Sequence, residues 1–339
     1  MTVSRARPAA HPMLGISLAG TGMALPGRIL TNDDLAAMVD TSDAWISQRT
    51  GIRQRRIING EQTLLSLATE SLQAALNTAH LQGADLDMVF VATMSPQMAT
   101  PGTASRLASD VGATGAGALD VNAACSGFVY AMNMATNMIH GGTARHVAVV
   151  GAEVLSELVD WRDRRTCVLF GDGAGAAILS ATDARECGCL YQEVGSDGHG
   201  WKELYCPRTA DDLPEDDQVF SGTFNTLQMN GREIYRFAVT RLEKCIDNAL
   251  TATGLAPADL DAIVVHQSNA RIIEGTARRL NLKMDRFYVN IDRFGNTAAA
   301  SIPMCLHEMA EAGRLKPGSL VMLAGLGGGL TWASSLWRL

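Results

Sequence analysis

One segment of this chain occurs twice. Residues 75–93, ALNTAHLQGADLDMVFVAT, align with residues 249–267, ALTATGLAPADLDAIVVHQ, at a constant offset of 174, the separation of Asp85 from Asp259. Each copy has the pattern of a helix, a tight connection and a buried strand. Chance recurrence of that pattern is the alternative, but the shared Ala-Asp-Leu-Asp string favours an internal duplication.

The rest of the chain alternates between apolar strands and amphipathic helices. Strands are predicted at 88–93, 117–123 and 146–151, and helices at 63–80, 104–111 and 127–139. The strands are apolar on both faces, as in central strands that helices cover on each side. This order predicts an α/β fold. We divide the chain into two halves, residues 13–185 and 186–339, and interpret residues 1–12 as a disordered leader rather than a signal peptide.

Composition narrows the class of protein. A chain of 339 residues with 47% hydrophobic and 19% charged residues can bury a large core. Its net charge of -7 gives no global reason to expect nucleic acid or an anionic membrane as a partner. Cysteines without a C-x-x-C pair argue against a disulfide framework or structural zinc and favour a reducing cytoplasm. No apolar run reaches the ~18 residues that a membrane-spanning helix needs.

A cysteine lies where a predicted strand meets a predicted helix. Cys125 follows the strand that runs to Asn122 and precedes the helix that begins at Gly127. A helix N-terminus lowers the pKa of a thiol, and the small neighbours Ala123 and Ala124 allow a substrate to approach. We therefore expect Cys125 to be a nucleophile, with inert packing as the alternative.

Two polar side chains and a glycine run in the C-terminal half fit the same chemistry. His266 follows an apolar strand, at the sheet edge where α/β proteins bind ligands. Asn296 precedes a predicted helix at 297–312, and a helix cap is its structural alternative. The string Gly325-Leu-Gly-Gly-Gly329 lies in an apolar hairpin, where its backbone N–H groups can approach a reacting oxygen.

These strings resemble those of the β-ketoacyl-acyl-carrier-protein synthase III family of the thiolase superfamily. The similarity covers residues 16–339 and includes the strings Thr41-Ser-Asp-Ala-Trp45-Ile-Ser-Gln-Arg49 and Phe170-Gly-Asp-Gly-Ala-Gly175. The resemblance implies a thiolase-like, duplicated five-layer αβαβα architecture. It also implies an acyltransferase that condenses an acyl-CoA primer with malonyl-acyl-carrier protein, with loss of carbon dioxide, at the start of fatty-acid or related synthesis.

The resemblance assigns a role to each candidate side chain. The Cys125 thiolate attacks the acyl-CoA thioester, and the backbone N–H groups of Cys125 and Gly328 bind the oxyanion. His266 Nε2 and the Asn296 side-chain N–H then stabilise the enolate that decarboxylation produces. Neutral donors suit this step because a carboxylate would repel the enolate. No metal and no redox cofactor take part in the implied reaction.

The resemblance also implies binding sites for the two substrates. CoA enters between Trp45 and Arg164, with Arg49 near its phosphates, and its pantetheine arm passes Gly231, Tyr235 and Asn269. A local dock for the acidic carrier protein is expected from exposed arginines on two predicted helices, Arg232, Arg236, Arg271, Arg278 and Arg279. Solvated helix faces with no partner are the alternative.

Departures from the family pattern concern the acyl pocket. Thr100 stands where the family often has a Phe that reaches across the dimer, and Leu330 replaces an aromatic residue after the glycines. Met94 and Met98 lie in the same loop as Thr100. Arg165 replaces a small residue beside Arg164, which the resemblance assigns to CoA binding. We expect a homodimer whose pocket accepts longer or branched primers.

Three alternatives remain open. A related acyltransferase of specialised metabolism, acting on a different acyl acceptor, would keep Cys125 but would not need Asn296. A papain-like cysteine hydrolase has its Cys, His and Asn in this order, but the Cys-Gly-Ser-Cys-Trp signature is missing. A non-enzymatic CoA-binding protein would have no reason to keep all three side chains. We therefore expect a cytoplasmic condensing enzyme.

Overall fold

A computed structural model describes residues 14–213 and 222–339, so the predicted leader lies outside the described residues. The strands up to residue 182 are β1 Gly15–Ala24, β2 Arg28–Thr31, β3 Gln54–Ile57, β4 Met88–Ala92, β5 Gly117–Val121, β6 His146–Glu153 and β7 Gly173–Thr182. The helices of the same part are α1 Asn32–Ala36, α2 Asp43–Thr50, α3 Leu64–Ala79, α4 Thr103–Asp110 and α5 Gly127–His140.

The rest of the chain repeats the alternation of strands and helices. Its strands are β8 Gly188–Ser196, β9 Leu204–Tyr205, β10 Gln228–Met229, β11 Ala262–Val265, β12 Leu320–Gly327 and β13 Thr331–Arg338. Its helices are α6 Gly231–Thr253, α7 Ala270–Arg279, α8 Ile291–Phe294 and α9 Ser301–Glu311. Within 14–213 and 222–339, every helix is too short or too polar to cross a membrane.

Two sheets with the same topology form the framework. The strand orders are β1-β7-β6-β4-β5 and β8-β13-β12-β11. Read along these orders, the first two pairings are antiparallel and the third is parallel in both sheets. β5 continues the first sheet in parallel, and a single parallel bridge between Ile263 and Phe287 marks the same place in the second. The shared topology confirms the predicted duplication.

The offset found in the sequence runs through the secondary structure as well. β4 begins at Met88 and β11 at Ala262, again 174 residues apart. The 3-10 turns Ala124–Ser126 and Ala298–Ala300, which precede α5 and α9, are separated by the same 174 residues. The first residue of each turn has a positive φ, 46° in the first turn and 41° in the second. The duplication therefore includes an unusual backbone conformation as well as the sheet order.

The two sheets and three groups of helices form five layers. Between the sheets lie α5 and α9, whose Phe128 and Ile302 belong to one buried cluster with Phe90 of β4 and Val321 of β12. α3 and α4 cover the other face of the first sheet in a second cluster, and α6 and α7 cover the second sheet in a third. This arrangement confirms the αβαβα fold class.

The prediction that all central strands are covered on both sides was wrong for β5. This strand is at the edge of its sheet, and the side chain of Leu119 is 47% exposed. It also ends at Val121, two residues earlier than predicted. Apolar residues indicate a buried strand, but the pattern does not distinguish burial under a helix from burial under another chain.

Candidate active site

Cys125 lies in the tight turn between β5 and α5. The turn is Ala124–Ser126, and α5 follows directly at Gly127, so the thiol lies at the helix N-terminus as predicted. Ala124 is in the left-handed region, with a φ of 46°, which is costly for a residue other than glycine. Cys125 is only 6% exposed. The turn thus presents a nearly buried thiol at the start of a helix.

The glycine run of the C-terminal hairpin packs directly on this turn. A Cβ built on Gly327 would lie 2.7 Å from the Ala123 carbonyl oxygen and 2.9 Å from the Cys125 nitrogen. A Cβ on Gly325 would lie 2.8 Å from the Ser126 Cα. These distances are too short for any side chain, so glycine is required here for close backbone approach. The glycines therefore let the hairpin backbone reach the cysteine turn, whereas their expected approach to a reacting oxygen stays a prediction.

Two hydroxyl groups bind the glycine turn to the cysteine turn. Thr331 Oγ1 lies 3.0 Å from the Ala123 carbonyl oxygen and 3.2 Å from that of Gly328. Ser126 Oγ lies 2.7 Å from the Ala123 oxygen and 2.9 Å from Thr331 Oγ1. These hydrogen bonds fix the backbone around Cys125 relative to Gly328, as the oxyanion role expected for both residues would require.

The expected lowering of the Cys125 pKa is contradicted. Burial raises the pKa of this thiol well above its ordinary value, and the nearby Glu153 carboxyl adds to the rise. A thiolate in this position loses its hydration, and that cost exceeds the benefit of the helix N-terminus. The free chain therefore holds Cys125 as a thiol rather than a thiolate.

His266 follows β11 and is held from two sides. Its backbone N–H donates to the Ala324 carbonyl at 2.9 Å, which continues the ladder between β11 and β12. Its ring nitrogen Nδ1 lies 2.9 Å from Ser301 Oγ at the start of α9. Burial lowers the pKa of the ring to about 3, so the imidazole is neutral at neutral pH.

The backbone of Asn296 is hydrogen-bonded to the segment that contains Phe170. Its backbone N–H donates to the Leu169 carbonyl at 2.8 Å, and its carbonyl accepts from the Gly171 N–H at 3.0 Å. A Cβ on Gly171 would lie 2.3 Å from the Phe294 oxygen, which explains the glycine of the Phe-Gly-Asp-Gly string. The Asn296 side-chain oxygen accepts from the Ala298 N–H at 2.9 Å. Its Nδ2 group therefore remains as the donor toward the cavity that Asn296 lines.

Two cavities meet at the cysteine. Cys125, His266 and Asn296 all line a cavity of about 300 Å³, so the three distant strings do come together. Cys125 also lines a second cavity of about 620 Å³, together with Phe170 and Gly328. A substrate that reaches the thiol through one cavity can place a second part of its structure in the other.

Most of the expected CoA-binding residues line the smaller cavity, namely Trp45, Arg49, Gly231, Tyr235 and Asn269. Arg164 does not line it, but the Arg164 and Arg49 guanidinium carbons lie 5.3 Å and 4.7 Å from the centre of the Trp45 ring. Asn269 has a structural task as well, because its side chain caps α7 and donates to the Arg49 carbonyl at 3.1 Å.

The expected acyl-pocket residues are less closely grouped. Met94 lines the larger cavity, whereas Met98 and Thr100 lie on an exposed loop, and Met98 is 42% exposed. Leu330 is buried and lies against Gly200 rather than beside either cavity. Within one chain, therefore, only Met94 of these four residues is positioned to contact an acyl chain on Cys125.

The expected carrier-protein arginines are all exposed. Arg232 and Arg236 lie on α6, and Arg271, Arg278 and Arg279 lie on the neighbouring α7. Arg236 pairs with Glu233 at 3.1 Å and Arg279 pairs with Glu243 at 3.0 Å. These exposed pairs neutralise part of the positive charge, so the patch is weaker than the arginine count alone indicates.

Comparison with known proteins assigns the family. Family models described as 3-oxoacyl-[acyl-carrier-protein] synthase III and its C-terminal part match residues 119–198 and 250–339. The β-ketoacyl-[acyl-carrier-protein] synthase III of Caldanaerobacter subterraneus is 43% identical over 95% of this chain and 97% of its own length. The chain belongs to the 3-oxoacyl-acyl-carrier-protein synthase III family. Its expected class, an acyltransferase of the condensing type, is thereby confirmed.

Other family members agree. The synthase III of Xylella fastidiosa is 46% identical over 95% of this chain and 97% of its own length. The crystal structure of the synthase III of Aquifex aeolicus superposes with a TM-score of 0.89 at 40% identity, covering 96% of this chain and all of that one. The thiolase-type architecture is therefore common to the family and to this chain.

Sequence reasoning assigned no site role to three residues around this synthase III site. Glu153, at the end of β6, is fully buried and accepts from Ser95 Oγ at 2.6 Å. Ser301 contacts His266, and Arg165 lines the smaller cavity. The duplication offset was an unused signal for two of them, because it pairs Glu153 with Gly327 and Ser301 with Gly127. Arg165 had been noticed only as a departure from the family pattern.

Proposed function

We propose that this chain condenses an acyl-CoA primer with malonyl-acyl-carrier protein and releases carbon dioxide, giving a β-ketoacyl-acyl-carrier protein. The observation that carries the proposal is the common cavity of Cys125, His266 and Asn296, with the thiol at the junction to a second cavity. The relatives named β-ketoacyl-[acyl-carrier-protein] synthase III support the same reaction. The product would start fatty-acid or related synthesis, and the reaction needs no cofactor beyond its substrates.

In the first half of the reaction, the Cys125 sulfur attacks the acyl-CoA thioester. The oxyanion forms beside the backbone N–H groups of Cys125 and Gly328. When the intermediate collapses, the bond between the acyl carbon and the CoA sulfur breaks, and the thiol proton ends on CoA. Acyl transfer therefore neither releases a proton to solvent nor takes one up. This balance suits a buried thiol whose pKa is raised.

In the second half, the malonyl group enters the smaller cavity and loses carbon dioxide. Its thioester oxygen gains the charge of an enolate, which Asn296 Nδ2 and His266 Nε2 stabilise by donating hydrogen bonds. Burial lowers the pKa of His266 to about 3, so this ring is a neutral donor. The carbanion then attacks the acyl carbon. A carbon–carbon bond forms, the acyl–sulfur bond breaks, and the Cys125 sulfur leaves as a thiolate that takes one proton from water.

The two substrates reach the thiol from the smaller cavity. Trp45, flanked by two guanidinium groups, offers an aromatic face for the adenine of CoA, and Arg49 offers charge for its phosphates. Exposed arginines on α6 and α7 serve as the dock for the acidic carrier protein, Arg232, Arg236, Arg271, Arg278 and Arg279. Gly231, Tyr235 and Asn269 line the path of the pantetheine arm.

The primer has room to be longer than acetyl. The larger cavity measures about 620 Å³ and its lining includes Met94, Phe170 and Leu204, all apolar. A water molecule, with one heavy atom, takes roughly 30 Å³. An acetyl group has only three heavy atoms, so it leaves most of the cavity empty. We expect acyl-CoAs of four to eight carbons or branched primers to be turned over faster than acetyl-CoA. Equal or faster turnover of acetyl-CoA would contradict this choice of primer.

A homodimer and a cytoplasmic location complete the proposal. β5 is an exposed sheet edge, with Leu119 47% exposed and, on a nearby loop, Met98 42% exposed. An unpaired edge with apolar side chains is suited to pairing with a second copy of the same chain. A dimer formed along β5 would also bring a second copy of the Thr100 loop near the acyl pocket.

Intact-mass spectrometry tests this function. The protein is incubated with a panel of acyl-CoAs, and malonyl-acyl-carrier protein is then added. We expect an acyl adduct that is absent in Cys125→Ala and disappears as a β-ketoacyl product forms. Cys206→Ala is the matched control, because Cys206 lines the larger cavity beside Cys125 and should leave the adduct intact. An adduct that ignores malonyl-acyl-carrier protein favours an acyltransferase with another acceptor, and no adduct contradicts the nucleophile.

A further inference from the structure

A buried serine contacts the ring of His266. Ser301 is fully buried at the start of α9, and its Oγ lies 2.9 Å from His266 Nδ1. The same Oγ lies 2.8 Å from the Ala298 carbonyl oxygen and accepts from the Gln267 N–H at 3.3 Å. A hydroxyl has one hydrogen to donate, so it must choose between the ring nitrogen and the carbonyl.

The choice decides what His266 can do. A neutral imidazole carries its hydrogen on only one nitrogen, and the bond made by Nδ1 determines the state of Nε2. If Ser301 Oγ–H donates to Nδ1, the ring hydrogen is on Nε2, where it can donate to an enolate oxygen. If Nδ1 carries the hydrogen, Nε2 presents a lone pair that repels the enolate.

The surroundings allow the first arrangement. The Ala298 carbonyl already accepts the backbone N–H of Ser301, so it does not depend on the hydroxyl. The Gln267 N–H occupies an acceptor position of Oγ and leaves its hydrogen free. The Ala298 carbonyl also partly offsets the lowering of the His266 pKa, as an acceptor near a ring nitrogen does. Ser301 Oγ is within hydrogen-bond distance of both this oxygen and Nδ1, so the carbonyl lies on the Nδ1 side of the ring. The serine hydroxyl and this carbonyl therefore compete for Nδ1.

We propose that Ser301 is a positioning residue that holds His266 in the tautomer with its hydrogen on Nε2, and so makes the ring a donor for decarboxylation. Without the hydroxyl, Nδ1 would carry the hydrogen and donate to the Ala298 carbonyl, and Nε2 would face the substrate as an acceptor. The inference rests on the proposed function, since only the condensation half of the reaction requires this donor. Acyl transfer to Cys125 does not use it.

Separate measurement of the two half-reactions tests the proposal. In Ser301→Ala, we expect condensation to slow on the order of 10²-fold, the usual cost of losing one donor to a developing oxyanion. Formation of the acyl-enzyme should slow far less. Ser301→Thr keeps a hydroxyl and should recover most of the condensation rate. Equal slowing of both half-reactions in Ser301→Ala would mean that the serine has only a structural role.

A matched control removes the same kind of group elsewhere. Ser71 is also a buried helical serine, and its Oγ donates to the Ala68 carbonyl at 2.9 Å, three residues back as in Ser301. It lies on α3, in the outer layer. Ser71→Ala should lose comparable stability without changing the ratio of the two half-reactions. If Ser71→Ala also changes the ratio of the condensation rate to the acylation rate, that ratio is not evidence for a special role of Ser301.

Nitrogen-15 NMR of the histidine rings reads the tautomer directly in the wild type. We expect the His266 resonance, assigned by its absence in His266→Gln, to report hydrogen on Nε2, and to report hydrogen on Nδ1 in Ser301→Ala. Wild-type hydrogen on Nδ1, or the same tautomer in both proteins, overturns the proposal even if a variant folds poorly. If the wild type forms an acyl-enzyme but no condensation product, the proposed function fails, and the spectrum still tests Ser301.

Discussion

Replacement of Gly327 by alanine tests the structural basis of the oxyanion site. The added Cβ would lie 2.7 Å from the Ala123 oxygen and 2.9 Å from the Cys125 nitrogen. Ordinary contacts begin at about 3.4 Å, so the two segments must separate by about 0.5 to 0.7 Å. Donors of an oxyanion site must lie within roughly 0.5 Å of their productive positions. We therefore expect the N–H group of Cys125 to be lost as a useful donor.

The expected cost follows from two separate effects. Loss of one oxyanion donor slows acyl transfer by roughly 10²–10³-fold, equivalent to about 3–4 kcal/mol. Overpacking of the contact destabilises the fold by about 1–3 kcal/mol. The assay is single-turnover formation of the acyl-enzyme at saturating acyl-CoA, followed by rapid quenching and intact-mass detection. Thermal unfolding of the same sample measures the second effect independently.

Gly20→Ala provides the matched control. Its Cβ would lie 2.3 Å from the Ala75 oxygen and 2.8 Å from the Ala79 Cβ, a tighter contact than at Gly327 but in the outer layer. It should destabilise the fold at least as much and leave acyl transfer by the folded protein unchanged. Acyl transfer at the wild-type rate in Gly327→Ala would refute the reasoning. A change confined to KM would indicate instead that the methyl group only obstructs the cavity.

Three further predictions concern the buried carboxyl group of Glu153, the side-chain amide of Asn296 and the exposed edge strand β5. Burial raises the pKa of Glu153 to about 8 from an ordinary 4.5, so the folded state holds a proton that the unfolded state releases. The free energy of unfolding should therefore fall as the pH rises from 4.5 to about 8. His266 has the opposite effect, because its pKa is lowered from 6.5 to about 3. It makes the free energy of unfolding rise with pH, but only below pH 6.5. Chemical unfolding between pH 6.5 and 8 should therefore show a decline in the wild type that Glu153→Gln removes, and parallel profiles would contradict it. Asn296→Ala should slow condensation roughly 10²-fold while acylation of Cys125 continues, which quenched-flow mass spectrometry separates; loss of both would assign Asn296 a structural role. Leu119→Lys should convert a dimer into monomers in analytical ultracentrifugation, whereas Ile29→Lys, at a 43% exposed site on the small β2–β3 sheet, should not; a dimer that survives Leu119→Lys excludes β5 as the interface.

Local patterns were sufficient to predict the strands and helices that carry the site. Cys125 is at a helix start and His266 at a strand end because these positions depend on nearby residues, which the sequence displays directly. The duplication added what local patterns lack, namely that two distant strands occupy equivalent places in two sheets. The family resemblance supplied the role of each side chain.

Burial and long-range contacts could not be predicted in the same way. The raised pKa of Cys125 comes from removal of the thiolate from water, and its burial depends on packing among segments that are distant in the sequence. Ser301 reads as an ordinary first residue of a helix until His266 is placed beside it. The exposure of β5 depends on which strand ends the sheet. Each of these properties depends on contacts between layers of the fold, which no single segment of the sequence displays.

The duplication gives the structure two similar turns, and a comparison of them explains how only one is suited to the proposed acyl transfer. Cys125 and Ala299 are the central residues of the equivalent turns, and Glu153 and Gly327 end the equivalent strands β6 and β12. Each strand end approaches the turn of the opposite half. The Glu153 carboxyl group accepts the backbone N–H of Ala299, whereas Gly327 lies against the Cys125 nitrogen with no side chain to bind it. The N–H group that Glu153 occupies in one turn is thus left free in the other, as an oxyanion donor must be. Glu153 and Gly327 therefore distinguish the turn at Ala299 from the turn at Cys125, for which we propose the acyl transfer.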